Sequence, residues 1–442
     1  MATTVMPFAG WRYHAQYVSA LDTVMTPPYD VISAAEREAY LASGPHSMIH
    51  LILGAEHADD HDGDNRFTRA AARLQQWQRD GILQREPAPA IYLYQQDFVV
   101  DGQPLTRSGF IARVRLAEYE ERVIFPHENT FAGPKADLLR LWQACRANLS
   151  QIFAVYSDAS RALDTVFEPV VAQPPQCHVP HWGEGAHRLW VVTDAAIIRQ
   201  VQEVMCDKAL VIADGHHRYE TTLALRQTLR QSHASAADEA PAYEYVMMYC
   251  ANIYDPGVVA LPTHRLLHGV AVPDLDQLLR GLEDWVHIDV DVRGDVDLEK
   301  WQQHLRQRLQ DGEGQGSPFA IYGGGDRCYI LNVPTKSALQ KVTPESASDA
   351  WKQLDVSVLH HALLPALETL VPGGQLDVTY ARAEDDVLWA VDRGTCDLAV
   401  MMRPTPLEQM VAVAMGGERM PQKSTYFYPK LPTGLVLNGF DV

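Results

Sequence analysis

Cysteine is scarce in this sequence, and the cysteines present are not arranged in pairs. Six cysteines are scattered over 442 residues without a C-x-x-C motif, so neither a zinc ribbon nor a redox motif is predicted. The sequence lacks an uninterrupted apolar run of about 18 residues, the length that a membrane-spanning helix needs. Residues 1–8 contain no basic segment leading into an apolar core, as a secretory signal would. We therefore expect a soluble, cytoplasmic protein with no membrane partner.

Basic residues are also few compared with acidic ones. The chain has 37 lysines and arginines against 56 aspartates and glutamates, which gives a formal net charge of -19. Such a surface repels a phosphate backbone over most of its area, so a nucleic-acid partner is not predicted. Hydrophobic residues make up 47% of the sequence, enough for cores in a globular protein.

Several well-known catalytic motifs are absent. The sequence contains no G-x-x-x-x-G-K-[ST] loop, no G-x-G-x-x-G and no H-E-x-x-H. A P-loop nucleotide site, a dinucleotide fingerprint and a zinc-protease site are therefore not predicted.

What the sequence does contain is an alternation of strand and helix patterns. Apolar segments flank Asp101-Gly102, a dipeptide that favours a tight hairpin. From Arg188 onward, strand-like and helix-like segments follow one another, which favours an α/β arrangement; they are Leu189–Val192, Ala195–Met205, Ala209–Ile212 and Tyr219–Leu229. We predict a mixed α/β fold (α+β in its flanking parts) in four segments: an N-terminal α+β segment (1–160), a central α/β layer (185–265), an α+β insert (266–345) and a C-terminal α/β segment (346–442).

Residues 209–220, with the sequence ALVIADGHHRYE, are the most informative stretch. The apolar residues 210–212 predict a buried strand, and a helix is predicted from Tyr219. The intervening residues therefore lie where a helix begins, and free backbone N–H groups there favour anions. We predict a phosphate site formed by Asp214, Gly215, His216, His217 and Arg218. The alternative is a purely structural helix start, with an aspartate cap and hydrogen-bonded histidines.

A turn near the N-terminus supplies two more candidates. In Thr26–Ser33, two prolines stiffen a turn that ends in Tyr29 and Asp30, which we consider for substrate binding. The alternative is a turn whose aspartate only caps a helix that begins near Ser33.

The segment Phe125–Thr130 places four types of polar side chain between two apolar elements. Glu128 is a candidate general base and His127 a candidate general acid. Thr130 is a candidate for substrate binding, or else caps the helix that follows. The alternative is an exposed loop acid with no catalytic task.

Further candidates lie later in the chain. Lys423 is a point charge suited to phosphate oxygens, and Ser424 is a hydrogen-bond donor beside it. A solvated loop lysine is the alternative. Arg265, in the sequence Thr-His-Arg, is a weaker candidate for substrate binding.

Five motifs, taken together and in order, resemble those of the domain of unknown function 1015 family; they are MTPPYDVIS (25–33), PHENT (126–130), DGHHRYE (214–220), LPTHR (261–265) and ERMPQKSTYFYPK (418–430). The DGHHR sequence is also similar to the phosphate-binding motif of the free serine kinases in the ParB/sulfiredoxin superfamily. The second resemblance implies a ParB/sulfiredoxin-like central layer and a kinase that uses ATP or ADP to phosphorylate free L-serine.

The same resemblance implies roles for individual residues. Glu128 would take the proton of the acceptor hydroxyl, and His216, His217 and Arg218 would hold and polarise the phosphates, so His217 joins the catalytic candidates. Mg²⁺ would bridge phosphate oxygens, as is usual in phosphoryl transfer. Asp214 would contact the metal or the ribose. About 85 residues separate Glu128 from Asp214, more than in the short domains of the superfamily.

Three functions are therefore compared. The first is a phosphotransferase that acts on the hydroxyl of a small metabolite, with L-serine as the acceptor that the resemblance implies. The second is a regulatory protein that binds a nucleotide or phosphometabolite without catalysis. The third is a hydrolase of nucleotides or phosphoesters, which would release phosphate without an acceptor.

Overall fold

The structure is a computed structural model that describes residues 3–130, 132–232, 240–269, 275–311, 316–342, 344, 346–371, 376–382 and 384–440. The chain forms two compact units. The first comprises residues 1–126, 130–258 and 429–442, and the second comprises 127–129 and 259–428. Over the described ranges, no helix is both long and apolar enough to cross a membrane.

The strands, in chain order, are Val5–Met6 (β1), Trp11–Tyr13 (β2), Leu83–Arg85 (β3), Ile91–Val100 (β4), Gln103–Arg115 (β5), Ile124–Phe125 (β6), Ala147–Asn148 (β7), Ile152–Tyr156 (β8), Cys177–Trp182 (β9), Gly185–Val192 (β10), Leu210–Asp214 (β11), Tyr245–Asn252 (β12), Val259–Leu261 (β13), His264–His268 (β14), His287–Val292 (β15), Ser317–Tyr322 (β16), Arg327–Val333 (β17), Asp377–Ala381 (β18), Leu398–Met402 (β19), Tyr426–Tyr428 (β20) and Asn438–Gly439 (β21).

The α-helices are Ala34–Ala42 (α1), Ile49–Ile52 (α2), Arg66–Arg79 (α3), Ala132–Cys145 (α4), Ala162–Val171 (α5), Ala195–Met205 (α6), His216–Ser232 (α7), Leu275–Arg280 (α8), Leu298–Asp311 (α9), Thr335–Lys341 (α10), Asp349–Lys352 (α11), Asp355–Val358 (α12), Leu364–Leu370 (α13), Glu384–Asp392 (α14) and Leu407–Met415 (α15). A π-helical turn, Leu359–Leu363, joins α12 to α13.

The first unit is built on a mixed sheet. Its strands lie in the order β6-β11-β8-β12-β5-β4-β10-β9, and β1 also pairs with β5. The pairs β11·β6 and β12·β8 are parallel, whereas the other pairs of this sheet are antiparallel. The prediction of a mixed α/β fold is confirmed. Segments 1–160 and 185–265 both contribute strands to this sheet.

Local sequence explains why these elements form. Asp101 and Gly102 both have a positive φ, as a two-residue hairpin between β4 and β5 requires. Asp194 caps α6 by accepting hydrogen bonds from the backbone N–H groups of residues 196 and 197. The apolar face of α6, with Val201 and Met205, packs in the same core as the sheet residues.

Helix α7 connects two cores of the first unit. Tyr219 and Leu223 pack with the sheet, α5 and α6. Leu225 packs instead with apolar residues of α3 and α4, among them Phe67 and Trp142. The helix is therefore held on two sides, which fixes the position of its first turn.

The second unit contains a six-stranded sheet among its described residues, in the order β15-β17-β16-β19-β14-β18. Segments 266–345 and 346–442 both contribute strands to it, and β13 pairs separately with β20. Helices α9 and α14 pack on this sheet through Trp301, Leu305, Val387 and Leu388.

Candidate phosphate site

The chain turns at Gly215 between β11 and α7. Gly215 has a φ of +97°, a value that residues with a Cβ rarely adopt. A Cβ on Gly215 would also lie 2.9 Å from Nε of Arg218. Glycine is therefore needed both for the turn and for the path of the Arg218 side chain.

Helix α7 begins at His216, three residues before the predicted start at Tyr219. The N–H of Tyr219 donates to the carbonyl of Gly215 at 2.9 Å. The predicted start of the helix was three residues too late because the apolar spacing begins only at Tyr219, whereas the preceding residues of α7 are polar. His216 and His217 are the first two residues of α7 and therefore lie at the positive end of the helix dipole. His216 is buried and His217 is half-buried.

Arg218 is buried, with 3% of its surface exposed. Its Nη2 donates to Oδ2 of Asp214 at 2.5 Å, and its Nη1 donates to the carbonyl of Gln151. The guanidinium is thus held by the protein itself. This geometry suits a role in shaping the turn and in supplying positive charge, and direct contact of Arg218 with a phosphate stays a prediction.

Asp214 accepts from a second cation. Nζ of Lys430 donates to Oδ1 of Asp214, while Arg218 occupies Oδ2. Burial by itself would raise the pKa of Asp214, but Lys430 and Arg218 outweigh it and hold this pKa well below its usual range. Two cations and one carboxylate leave a net positive charge at the N-terminal end of α7, where the helix dipole adds to it.

The pairing of Asp214 with Lys430 and Arg218 affects the predicted role of Asp214 as a metal ligand. Mg²⁺ is held by oxygen ligands such as carboxylates, but both oxygens of Asp214 already accept hydrogen bonds from cations. Asp214 therefore does not fit a magnesium ligand in this arrangement. The described parts of the chain also contain no cluster of three or more His, Cys, Asp or Glu side chains that could hold a metal ion.

Arg107 supports the segment that carries Lys430. Its side chain is fully buried, and its Nη2 donates to the carbonyl of Pro429 at 2.7 Å and to Oε1 of Gln96 at 2.5 Å. Its guanidinium carbon also lies 4.9 Å from the centre of the Phe153 ring. A fixed Pro429 carbonyl in turn fixes the direction in which Lys430 leaves the backbone.

A second cluster of charged side chains forms around Glu220, one helical turn further along α7. Oε2 of Glu220 accepts from the hydroxyl of Thr130 at 2.5 Å and from Nζ of Lys135 at 2.8 Å. Lys135 also donates to Thr130 at 3.0 Å. Glu220 is three residues after His217 and four after His216, so these side chains share one face of the helix. The structure thus places Thr130 beside the DGHHRYE segment.

Tyr29 also lies close to the junction. It belongs to a short 3₁₀ turn, Tyr29–Val31. Burial raises the pKa of Tyr29, with further contributions from Asp30 and Asp214, while Arg218 lowers it. The side chain of Asp30 is exposed. The proline-stiffened turn therefore brings Tyr29 into the electrostatic neighbourhood of Asp214 and Arg218.

The remaining candidates belong to the second unit. The ring of His127 is fully buried, with Nε2 2.8 Å from Oγ1 of Thr425 and the ring edge-on to Phe427. Glu128 is partly exposed, and its Oε1 lies 3.9 Å from Nε2 of His127. The backbone carbonyl of Glu128 accepts from Arg419 at 3.4 Å. A buried His127 suits the support of this loop, and the proton-accepting role of Glu128 stays a prediction.

Lys423 and Ser424 form a strained turn. Lys423 is exposed and has a φ of +57°, an unfavourable conformation for a residue with a side chain. The hydroxyl of buried Ser424 donates to the carbonyl of Pro421 and so closes the turn. The donor of Ser424 is therefore used within the protein, and the role of Lys423 in phosphate binding stays a prediction.

Arg265 is fully buried in the second unit. It donates to Nε2 of His360 at 2.8 Å and to the carbonyl of Lys423 at 3.2 Å. Burial lowers the pKa of Arg265 to about 10 and that of His360 to about 4. These contacts suit a residue that supports the Lys423 turn, and substrate binding by Arg265 stays a prediction.

No role was predicted from the sequence for Lys430, Lys135 or Glu220. Glu220 ends the DGHHRYE motif and Lys430 ends the ERMPQKSTYFYPK motif, so membership in a motif was the available signal. Their partners come from distant parts of the chain: 216 residues separate Lys430 from Asp214, and 85 separate Lys135 from Glu220.

The fold and this junction define an α/β protein with a positively charged turn between a strand and a helix. Residues 5–357 match the family described as "Protein of unknown function (DUF1015)", and the chain belongs to that family. A search of curated proteins finds no match.

Among solved structures, a conserved hypothetical protein from Pyrococcus furiosus is 12% identical at a TM-score of 0.33, covering 72% of this chain and 92% of that one. A free serine kinase in complex with AMP is 12% identical at a TM-score of 0.32, with coverages of 71% and 89%. SbnI with a C-terminal truncation, from Staphylococcus aureus, is 11% identical at 0.33, with coverages of 74% and 87%. Likenesses as weak as these define neither the fold nor the function of this chain.

Proposed function

We propose that this protein is a phosphotransferase that binds the phosphates of ATP or ADP at the turn between β11 and α7. The observation that carries the proposal is the ion cluster of Asp214, Arg218 and Lys430 around Gly215. It leaves a net positive charge where the backbone N–H groups of a 17-residue helix begin. A phosphate group is the common metabolic anion that such a site suits.

The chemistry is the transfer of a terminal phosphoryl group to the hydroxyl of a small metabolite. The bond between phosphorus and the bridging oxygen of the nucleotide breaks, a bond to the acceptor oxygen forms, and the hydroxyl proton leaves. Catalysis of this kind depends mainly on positioning and charge neutralisation. The sequence resemblance assigns the proton to Glu128 and makes L-serine the first acceptor to test.

Binding is tested first, by isothermal titration of ATP, ADP and pyrophosphate into the wild type and into Lys430→Gln. Loss of the Lys430 charge is expected to weaken all three ligands by about tenfold, which corresponds to about 1.4 kcal/mol. Lys300→Gln changes the same residue type at an exposed position of α9 and is the control. Equal affinities in Lys430→Gln and the wild type would refute a phosphate site here.

Transfer is tested next, with L-serine and a panel of other hydroxylated amino acids and sugars as acceptors. The Glu128→Gln variant is expected to bind nucleotide as the wild type does and to lose turnover, because the amide cannot accept the proton. Glu299→Gln, at an exposed position of α9, is the matched control. Binding without transfer to any acceptor would support the regulatory alternative, and phosphate release without an acceptor would support the hydrolase.

A further inference from the structure

The first unit contains a cavity of about 300 Å³ that is lined by Tyr29, the end of α2 and residues of α3 and α4. Residues 51–54, at the end of α2, form one side of it, and residues of α3 and α4 form the others. This volume lies at the lower end of the range for small-molecule pockets, roughly 300–1,000 Å³. The cavity is therefore large enough for part of a metabolite but not for a complete nucleotide.

The wall of the cavity is mainly apolar. Its apolar side chains are Leu51, Ile52, Leu53, Phe67, Leu138 and Leu141. The charged residues of the wall, Arg66 and Asp137, are paired with each other, so a zwitterionic amino acid would leave its ammonium and carboxylate facing mainly apolar side chains, which is costly. A flat, uncharged ring suits such a wall better.

The polar groups of the cavity are few and fixed. Arg66 donates to Asp137 at 2.6 Å, and its other amino group lies 2.7 Å from Glu56. The guanidinium carbon of Arg66 also lies 4.7 Å from the centre of the Phe67 ring. A largely apolar wall with a few oriented polar groups is typical of a site that recognises one ring system.

Tyr29 lies in the wall of the cavity and within electrostatic range of the phosphate site. The charges that act on its hydroxyl include those of Arg218 and Asp214 at the junction and Asp137 in the cavity wall. A ligand that spans both places would therefore pass along the side of Tyr29.

We propose that this cavity binds the heteroaromatic base of the nucleotide whose phosphates lie at the β11–α7 turn. This inference rests on the proposed function and names the part of the ligand that the first unit recognises by shape. The phosphate site alone would accept pyrophosphate as well as any nucleotide. The cavity adds selectivity for a ligand that carries a base.

The test places a larger side chain at the half-buried edge of the cavity. Leu53→Trp and, as a second variant, Ile52→Trp each add bulk at positions that are not fully buried. Leu298→Trp makes the same change at a position of α9 that is 39% exposed and is the control. ADP, adenosine and pyrophosphate are titrated into each variant, and thermal unfolding checks that each variant is folded.

The expected result is a loss of ADP and adenosine affinity by about tenfold or more in the filled variants, with pyrophosphate binding within about twofold of the wild type. Unchanged ADP affinity in both filled variants would overturn the base pocket and leave the phosphate site standing. If the wild type binds neither ADP nor pyrophosphate, the proposed function fails. If the wild type in that case still binds adenosine and Leu53→Trp abolishes this binding, the base pocket is supported. If the wild type does not bind adenosine either, the base pocket is overturned too.

Discussion

Lys430 donates a hydrogen bond to Asp214 although 216 residues separate them in sequence. The contact joins a loop near the C-terminal end of the described chain to the end of β11. Because Arg218 holds the other carboxylate oxygen, each cation compensates the desolvation of Asp214. The charge of the candidate phosphate site is therefore set by residues from two distant parts of the chain.

Removal of the Lys430 charge should destabilise the first unit. In Lys430→Gln, Asp214 keeps the hydrogen bond from Arg218 but loses that from Lys430, at a position where the Lys430 and Asp214 side chains are 16% and 15% exposed. We expect the free energy of unfolding to fall by about 2 kcal/mol, less than the roughly 3–5 kcal/mol typical of a broken buried pair, because Arg218 remains as a partner of Asp214. Chemical denaturation of this variant and of Lys300→Gln measures the difference, and equal stabilities would contradict it.

The stability of the protein should fall in acid partly because of Asp214. Its folded-state pKa lies below the ordinary value of 3.8, so the stabilisation is present above the unfolded-state pKa and is lost as the pH falls through the folded-state pKa. In Asp214→Asn, the unfolding free energy should depend less steeply on pH below about pH 5. Denaturation at a series of pH values, with exposed Asp59→Asn as the control, gives the two slopes.

Gly215→Ala should be more damaging than the same change at another left-handed glycine. Gly102 has a φ of +74° and nothing within 4 Å of an added Cβ, whereas the Cβ at Gly215 would meet the Arg218 side chain at 2.9 Å. Gly102→Ala should cost about 1 kcal/mol from backbone strain alone. Gly215→Ala should cost about 1–2 kcal/mol more, because Arg218 must also move. Equal losses of stability in the two variants would show that the Arg218 path is unimportant.

Substitutions of Glu220 and of Lys135 by glutamine should change phosphate affinity in opposite directions. Glu220→Gln removes a negative charge one turn from the start of α7, and Lys135→Gln removes a positive one. We expect pyrophosphate affinity to rise by about threefold in the first variant and to fall by a similar factor in the second, at low ionic strength. Titrations at low and high salt measure this, with Glu299→Gln as the control; changes of the same sign would contradict it.

Local patterns were sufficient to predict much of the fold. Helix α6 spans Ala195–Met205 as predicted, because its apolar spacing and the preceding Asp194 act within a few residues. The hairpin at Asp101-Gly102 was likewise encoded in a dipeptide. The strand before Asp214 was marked by consecutive apolar residues that are all buried.

The candidate site was predicted only in part, because its contacts depend on topology. The motif located the turn, but nothing local indicates that Arg218 points back to Asp214 and Gln151 rather than outward. The partnership of Lys430 with Asp214 requires the chain to return to the first unit at residue 429. No spacing or periodicity in one segment contains that information.

This return of the chain also sets the order in which the site is completed during synthesis. β11 and the first turn of α7 leave the ribosome more than 200 residues before Lys430, and residues 259–428 are made in between. Until residue 430 is available, the Asp214 carboxylate has Arg218 but not Lys430. A nascent chain arrested in the second unit would therefore carry the complete phosphate motif without its full charge.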